Sequence, residues 1–510
     1  MRARIRCCAA AIVLAAGVSP ALAQLRVGEW NVTNYGGAEV RDAAFRTALY
    51  ATFNGRRFAP DILVGQEFLS QAGVTAFLAN LNTAAGSPGD WAAGPFNNGA
   101  DTDNAFFYRT SKVQFLGMTI VASGGLSPNH PRDINRYDFR PIGYSGAAAT
   151  IAAYSSHMKS GSTADDLNRR LLEAQRIRDN AQTLAAGWHF LLCADLNIPG
   201  STQAAYVELV GSQANNVGRF FDPILTPGNW QGSNMLRFVH TQDPAVQMDD
   251  RFDQILLKST LLDGVGFDYI GSLTIPYSTT TWNDPNHSYR SWGNDGTSLG
   301  NVLTVANNQM VGATIAQALV DSADGLGHLP VFLDLRVPAE ITSPTIIDFG
   351  TVAQNSTAQM TLMVTNAGNT ALWNVAGIAS LRYTLAASAG FTAPGGTFTE
   401  PPGGSGNSHT ITMNTATVGP KSGTITIASD SADEPVRVVM LMGNVVTAAC
   451  YANCDSSTNP PILNVNDFAC FLNLFSAGDS AANCDGSTNP PVLNVNDFAC
   501  FLNAFSAGCT

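Results

Sequence analysis

Between residues 25 and 336 short apolar runs alternate with amphipathic stretches, and a polar residue suited to chemistry stands at or beside one end of most apolar runs. Residues 25–32, 61–66, 104–108, 148–155, 190–194, 252–257 and 331–335 read as strands, and 41–53, 71–81 and 164–186 read as helices. That order of elements points to a layered α/β fold. Asn31, Glu67, His157, Asp195, Asn197, Asp253 and His328 occupy or flank the strand ends, where side chains leave a rigid sheet and converge on a shared cleft. The set supplies two histidines and hard oxygen ligands, with no serine or cysteine in a nucleophile's setting. This combination suits metal-assisted attack of water on a phosphate ester. Long loops at 96–145, 199–247 and 277–308 are expected to form the rim of the site.

A chain of 510 residues exceeds one ordinary core, and at roughly 100–200 residues per domain it divides into about three. Residues 1–23 read as a signal peptide: Arg2, Arg4 and Arg6, an apolar run over 7–18, then Ala21-Leu22-Ala23 before Gln24. The run is shorter than the ~20 residues of a membrane span, and no later segment is long and apolar enough for one. Export, to the medium or the cell surface, is the expectation. Of nine cysteines, Cys7 and Cys8 lie in the leader, Cys193 sits in an apolar strand as a buried hydrophobe, and six cluster from Cys450 to Cys509. In an exported chain this clustering predicts a small disulfide-stapled module whose pairing stays open. The net charge of −12 argues against holding nucleic acid on a broad basic surface, but does not exclude a nuclease. From Glu340 onward eleven Asp or Glu face three Lys or Arg, so most arginines belong to the first region.

Beyond Val337-Pro338 the composition turns to Thr, Val, Ser and Gly with period-two alternation, which predicts an all-β sandwich over 338–447. Ile347-Asp348-Phe349-Gly350-Thr351-Val352 and Val364-Thr365-Asn366-Ala367-Gly368-Asn369 resemble the immunoglobulin-like repeats of cilia-associated and bacterial surface proteins. The tail, 448–510, is a duplication: residues 453–473 recur almost unchanged at 483–503. Each copy runs from an Asn/Asp loop into an amphipathic helix, with Val465, Phe468, Leu472 and Phe475 expected on one face. Asn453, Asp455, Asn464 and Asp467, with Asn483, Asp485, Asn494 and Asp497 in the second copy, are the oxygen donors a calcium ion requires. The arrangement resembles the dockerin module, a pair of calcium-binding loop–helix repeats that plugs into a partner protein. Here the loop is longer than usual and carries Pro460-Pro461, with Ser457 or Asn459 in place of the middle aspartate.

Trp30-Asn31-Val32, Gly65-Gln66-Glu67, Ser156-His157-Met158-Lys159, Ala194-Asp195-Leu196-Asn197, Arg251-Phe252-Asp253 and Gly327-His328-Leu329-Pro330-Val331 occur in an order that resembles the endonuclease/exonuclease/phosphatase superfamily, over residues 24–337. The resemblance implies a four-layer α/β sandwich, two mainly antiparallel sheets packed together with helices outside. It also implies roles. Glu67, helped by Asn31, would ligate magnesium or manganese. His328 would take the proton from water, with Asp253 holding its imidazole. His157 and Asn197 would stabilise the phosphate oxygens, with His157 placed to protonate the leaving oxygen. Asp195 would orient the water or help bind the metal. Arg140 matches a phosphate contact loosely, and Arg132 or Arg136 are alternatives.

Gly327 departs from the family, which has an acidic residue before this histidine; that leaves Glu67 and Asp195 as the principal carboxylates unless Asp324 reaches round. The expected activity is phosphodiester hydrolysis, with nucleic acid as the leading substrate. A phospholipid or phosphomonoester substrate on the same fold is the alternative, and an inactive surface scaffold is another. Residues 282–296, rich in aromatics, Asn and Arg, are a candidate rim for stacking a base or flanking a phosphate.

Overall fold

The structure is a computed structural model and describes residues 24–447 and 450–508. The expected leader lies outside the described residues, as does Cys509. In chain order the first domain comprises β1 (Leu25–Tyr35), α1 (Asp42–Tyr50), β2 (Ile62–Phe68), α2 (Gln71–Thr83), β3 (Trp91–Ala93), β4 (Asp103–Arg109), β5 (Val113–Ala122), β6 (Ile134–Pro141) and β7 (Ile151–His157). It continues through α3 (Ala164–Ala181), β8 (His189–Asp195), α4 (Ala204–Val210), β9 (Phe220–Phe221), β10 (Asp253–Lys258), β11 (Asp268–Tyr269), β12 (Arg290–Ser291), α5 (Gly312–Asp321) and β13 (Val331–Arg336).

Two sheets form the centre. One runs β11-β13-β1-β2-β4-β3 with β12 beside β13; the other runs β5-β6-β7-β8-β10-β9. Every pairing is antiparallel except β1–β2 and β7–β8. The alternating apolar residues Val27, Ile62, Val64 and Phe106 of the first sheet meet Tyr137, Ile151, Leu191 and Ile255 of the second in one core. The opposite set, including Trp30, Leu63 and Phe107, packs on α1, α2 and α5, while Tyr154, Phe190 and Leu192 pack on α3 and α4. The result is a four-layer α/β sandwich.

This topology gathers the strand ends. Parallel pairing aligns Asn31 with Gln66 and His157 with Asp195, so both parallel pairs finish at one edge. Antiparallel neighbours return to the same edge: Asp253 opposes Asp195, and Val331, three residues after His328, opposes Glu29.

The span expected as a loop at 96–145 contains the β5–β6 hairpin. Its outer strand lies at a sheet edge, and Val113–Ala122 is mostly half-exposed, which dilutes the alternation that marks a buried strand. Helix α5 is equally weakly marked in the sequence; it carries no side-chain cap and only one charged residue. No described helix is long and apolar enough to cross a membrane.

The second region packs a four-stranded sheet, Ile341–Thr342, Ala358–Asn366, Asn407–Met413 and Phe391–Thr392, on a five-stranded sheet, Ile346–Ala353, Val436–Val446, Gly419–Ser429, Leu381–Ala387 and Thr397–Glu400. It is joined firmly to the first domain. Trp373 and Ile378 enter the first domain's core, and Asp433 accepts hydrogen bonds from the Ser145 and Gly146 amides at 2.9 and 2.6 Å.

In the tail, helices Val465–Ser476 and Val495–Ala507 pack through stacked Phe471 and Phe501 rings 4.2 Å apart, and disulfides join Cys454 to Cys470 and Cys484 to Cys500. The buried face differs from expectation. Phe471 is buried between partly buried Phe468 and Phe475, whereas Val465 is 77% exposed and Leu472 points outward, because the helix packs on its own repeat. Asp467 caps its helix: it accepts from the Asn464 amide at 2.9 Å and the Asp455 amide at 3.2 Å, and Asn453 accepts from the Ser457 amide. Asp497 does the same for Asn494 and Asp485.

Candidate active site

Glu67 would face away from the cleft in a regular strand, since Ile62, Val64 and Gln66 form the inward set of β2. A register shift between Gly65 and Phe68 breaks the alternation, and Glu67 adopts φ +62°, a left-handed conformation that turns its carboxylate back toward β1. Thr33 and Asn34, at φ +55° and +50°, curl the end of β1 the same way, and Asn197 follows β8 at φ +51°. Non-glycine residues at positive φ cost about 1–3 kcal/mol each and collect where function over-determines the backbone. Here the loop after β1 is held by the buried Arg41 guanidinium, which donates to the Val32, Thr33 and Ser322 carbonyls.

Asn31 sits between the two sheets' carboxylates. Its Nδ2 donates to Glu67 Oε1 at 2.9 Å and to Asp195 Oδ2 at 3.0 Å, while its Oδ1 accepts from the Thr33 amide. The amide nitrogen thus faces the carboxylates, and Asn31 bridges Glu67 and Asp195. Glu67 Oε2 accepts from the Asn34 amide, leaving Glu67 partly open to the cleft.

His157 completes one wall, with Nε2 3.3 Å from Asp195 Oδ2 and Nδ1 3.6 Å from Glu67 Oε1. Opposite, His328 donates through Nδ1 to Asp253 Oδ2 at 2.9 Å and turns Nε2 toward Asp195 Oδ2 at 3.8 Å. The turn carrying His328 is anchored by the Trp30 indole, which donates to its carbonyl. Asn197 donates its backbone amide to Asp195 and its side-chain amide to the Met158 carbonyl. Ligand atoms of Glu67, Asp195 and His328 lie within 4.8 Å of one another, a spacing one cation can bridge. The two carboxylates are donors that suit magnesium or manganese, hard ions for which an imidazole is a poorer ligand.

The two histidines are electrostatically opposite. Burial, with the charges of Arg132 and His328, holds the His157 imidazole well below its usual range. Burial opposes a charge on His328 too, but Asp253 and Asp195 outweigh it and push it up to about 10. Asp195 is itself pushed up to about 7, first by burial and then by Asp253 and Glu67, against the pull of His328.

Arg140 is not part of this cluster. It lies at the far end of β6, donating to Gln114 and to the Ser145 carbonyl. Antiparallel pairing of Asn135 with Ser155 and Phe139 with Ile151 sends the end of β6 away from His157. Arg136 is bound to Asp138. Arg132 is the arginine whose charge reaches His157. Asp324 is exposed, whereas His328 is buried. A side chain at 327 would not fit, because a Cβ there would meet the Ala323 carbonyl oxygen at 2.4 Å. Asp243 is the additional acid that interacts with His328; burial first pushes its carboxyl up to about 6.

Sequence reasoning also missed the floor of the site. Glu29, fully buried two residues before Asn31 on the same face, has no hydrogen-bond partner on either carboxylate oxygen; burial and the Asp253 and Asp195 charges hold it well above the carboxylate range. Beside it Gln66 donates to Ser155, which donates to Asn104. A charged residue inside an apolar strand was the available signal. Of residues 282–296, Trp282 and Arg290 line a separate cavity, and Trp292 is buried.

No protein-family model matches the chain, and no curated protein matches it. Among solved structures it is similar to a humanized D. rerio TDP2 (15% identity, TM-score 0.36, covering 61% of this chain and 99% of that one). It is also similar to the human Nocturnin catalytic domain with bound sulfate (12% identity, TM-score 0.36, covering 62% and 96%). A third is an endonuclease/exonuclease/phosphatase family protein from Bacteroides thetaiotaomicron (13% identity, TM-score 0.32, covering 62% and 96%).

Proposed function

We propose that residues 24–337 are an endonuclease/exonuclease/phosphatase-type catalytic domain that hydrolyses phosphodiesters, with nucleic acid as substrate. The observation that carries this reading is the convergence of Glu67, Asp195 and His328 within 4.8 Å, beside His157, from both sheets.

Glu67 and Asp195 would hold a magnesium or manganese ion, which when bound neutralises charge on a phosphate oxygen. Asp253 fixes the His328 tautomer by accepting its Nδ1–H, which leaves Nε2 facing the cleft to take a proton from water. Asn31 keeps the two metal-binding carboxylates apart and oriented. His157, neutral through burial, donates a hydrogen bond to a non-bridging oxygen of the phosphate. Arg132, which also pairs with the exposed Asp101, supplies the cationic contact in place of Arg140.

The remaining expectations belong to the same proposal. The leader directs export, the β-sandwich is an immunoglobulin-like spacer, and the tail is a dockerin-like module that binds calcium and a protein partner. The buried Asp467 and Asp497, each tying the start of its loop to its helix, support the last point.

The test is hydrolysis of plasmid DNA, RNA and bis(p-nitrophenyl) phosphate with magnesium, with manganese and with chelator, beside a His157→Ala/His328→Ala variant. Metal-dependent cleavage lost in the variant supports the reading. Turnover of only a phospholipid or a phosphomonoester reassigns the substrate, and no turnover by a folded protein favours an inactive scaffold.

A further inference from the structure

On the outer face of the first sheet lies a cavity of about 540 Å³. It is not part of the catalytic cleft. Arg26, in its wall, and Asn31, in the cleft, are five residues apart on β1, roughly 17 Å at ~3.4 Å per residue. The odd spacing turns their side chains to opposite faces of the sheet.

The cavity concentrates positive charge in an acidic chain. Arg26, Arg56, Arg57, Arg109, Lys112 and Arg290 line it, against only Asp61 and Asp334. Arg26 is paired with Asp334, Arg109 with Asp61 and with Asp90 outside the lining, and Lys112 with Asp61. Arg56, Arg57 and Arg290 have no carboxylate partner among the described residues. Arg56 donates to the Met310 and Gln309 carbonyls at 3.0 and 2.9 Å, and Arg290 to the His287, Tyr289 and Asp284 carbonyls at 2.6, 2.7 and 2.8 Å. Carbonyls fix a guanidinium in place without neutralising it, so both heads are pre-oriented for an anion.

Aromatic surface adjoins this charge. The Arg56 guanidinium lies 4.9 Å from the Trp282 ring centroid, and Tyr50, Trp292 and Phe332 also line the cavity. The volume lies within the roughly 300–1,000 Å³ typical of small-molecule sites. We propose that the cavity is a second binding site, for a small ligand that joins a phosphate group to an aromatic ring, a mononucleotide being the simplest member. Trp282 and Arg290 of the 282–296 segment thus serve stacking and phosphate contact at this site.

The test is calorimetric titration of the full-length protein, in chelator, with adenosine monophosphate, inorganic phosphate and adenosine. It is repeated on Arg56→Ala/Arg290→Ala, on the exposed Arg57→Glu, and on His157→Ala/His328→Ala, with circular dichroism to establish folding. The monophosphate is expected to bind once per chain, about tenfold or more tighter than either fragment. Binding should survive the histidine changes and weaken about tenfold or more in the double arginine variant, with Arg57→Glu weakening it in the same direction should the double variant not fold. Absence of binding, equal binding of phosphate and monophosphate, or binding lost only with the histidines would overturn the proposal. The assay reads binding alone, so its outcome is independent of catalytic turnover.

Discussion

His328 Nδ1 lies 2.9 Å from Asp253 Oδ2, both buried, and this contact decides which imidazole nitrogen faces the cleft. Asp253→Asn should leave the fold intact while favouring the wrong tautomer. Phosphodiester turnover is expected to fall on the order of 10²–10⁴-fold, the range of a general-base contribution, with KM changed far less. Steady-state kinetics on the folded variant would check this; an unchanged kcat would show that His328 is not oriented for proton transfer.

Metal binding and protonation should be linked at this site. His328 is pushed up to about 10, so its imidazole holds a proton at neutral pH in the metal-free protein. A cation brought to Glu67 and Asp195 opposes that charge and lowers the imidazole's proton affinity. Titration with magnesium at about pH 7.5 is expected to release protons, and apparent affinity should rise with pH toward the His328 value. Calorimetry in buffers of different ionisation enthalpy reads this directly.

The glycine before His328 is imposed by packing. A Cβ at 327 would meet backbone atoms of Ala323 at 2.4 and 2.5 Å. Restoring an acid with Gly327→Asp should destabilise the protein by about 1–3 kcal/mol or more and bring no gain in activity. Denaturant unfolding measures the first part and turnover the second.

Glu173, on α3 behind the His157 strand, is pushed up to about 8 from its ordinary 4.5 by burial, although the Lys159 amide donates to it. A folded-state value above the unfolded one means that its contribution is fully present below about pH 4.5 and is lost as pH rises through about 8. Glu173→Gln keeps an acceptor for the Lys159 amide and cannot ionise. Its melting temperature should gain on that of the parent between about pH 5 and pH 9. Parallel curves would contradict the assignment.

The strand-end residues were legible in the sequence because a polar group closing an apolar run has few structural reasons to be there. What the sequence did not reveal depended on pairing. Arg140 precedes the strand that delivers His157, so it reads as a neighbour, yet antiparallel pairing carries it to the opposite edge and leaves Arg132 near the cluster. Glu67 reaches the cleft through a break in alternation that periodicity does not foresee. The tail helices bury Phe471 instead of Leu472 because each packs on its duplicate, a partner invisible to a single amphipathic pattern. Glu29 lies inside its strand and not at the end, so a reading of strand ends passes over it.

The most direct measurement is bis(p-nitrophenyl) phosphate hydrolysis across a manganese titration for the parent and for Glu67→Gln, with circular dichroism on both. Activity that vanishes in chelator, saturates with manganese, and needs about tenfold or more metal in the variant is the predicted result. Turnover unaffected by chelator, or an unchanged manganese midpoint in folded Glu67→Gln, would contradict a metal centre built on Glu67 and Asp195 beside His328.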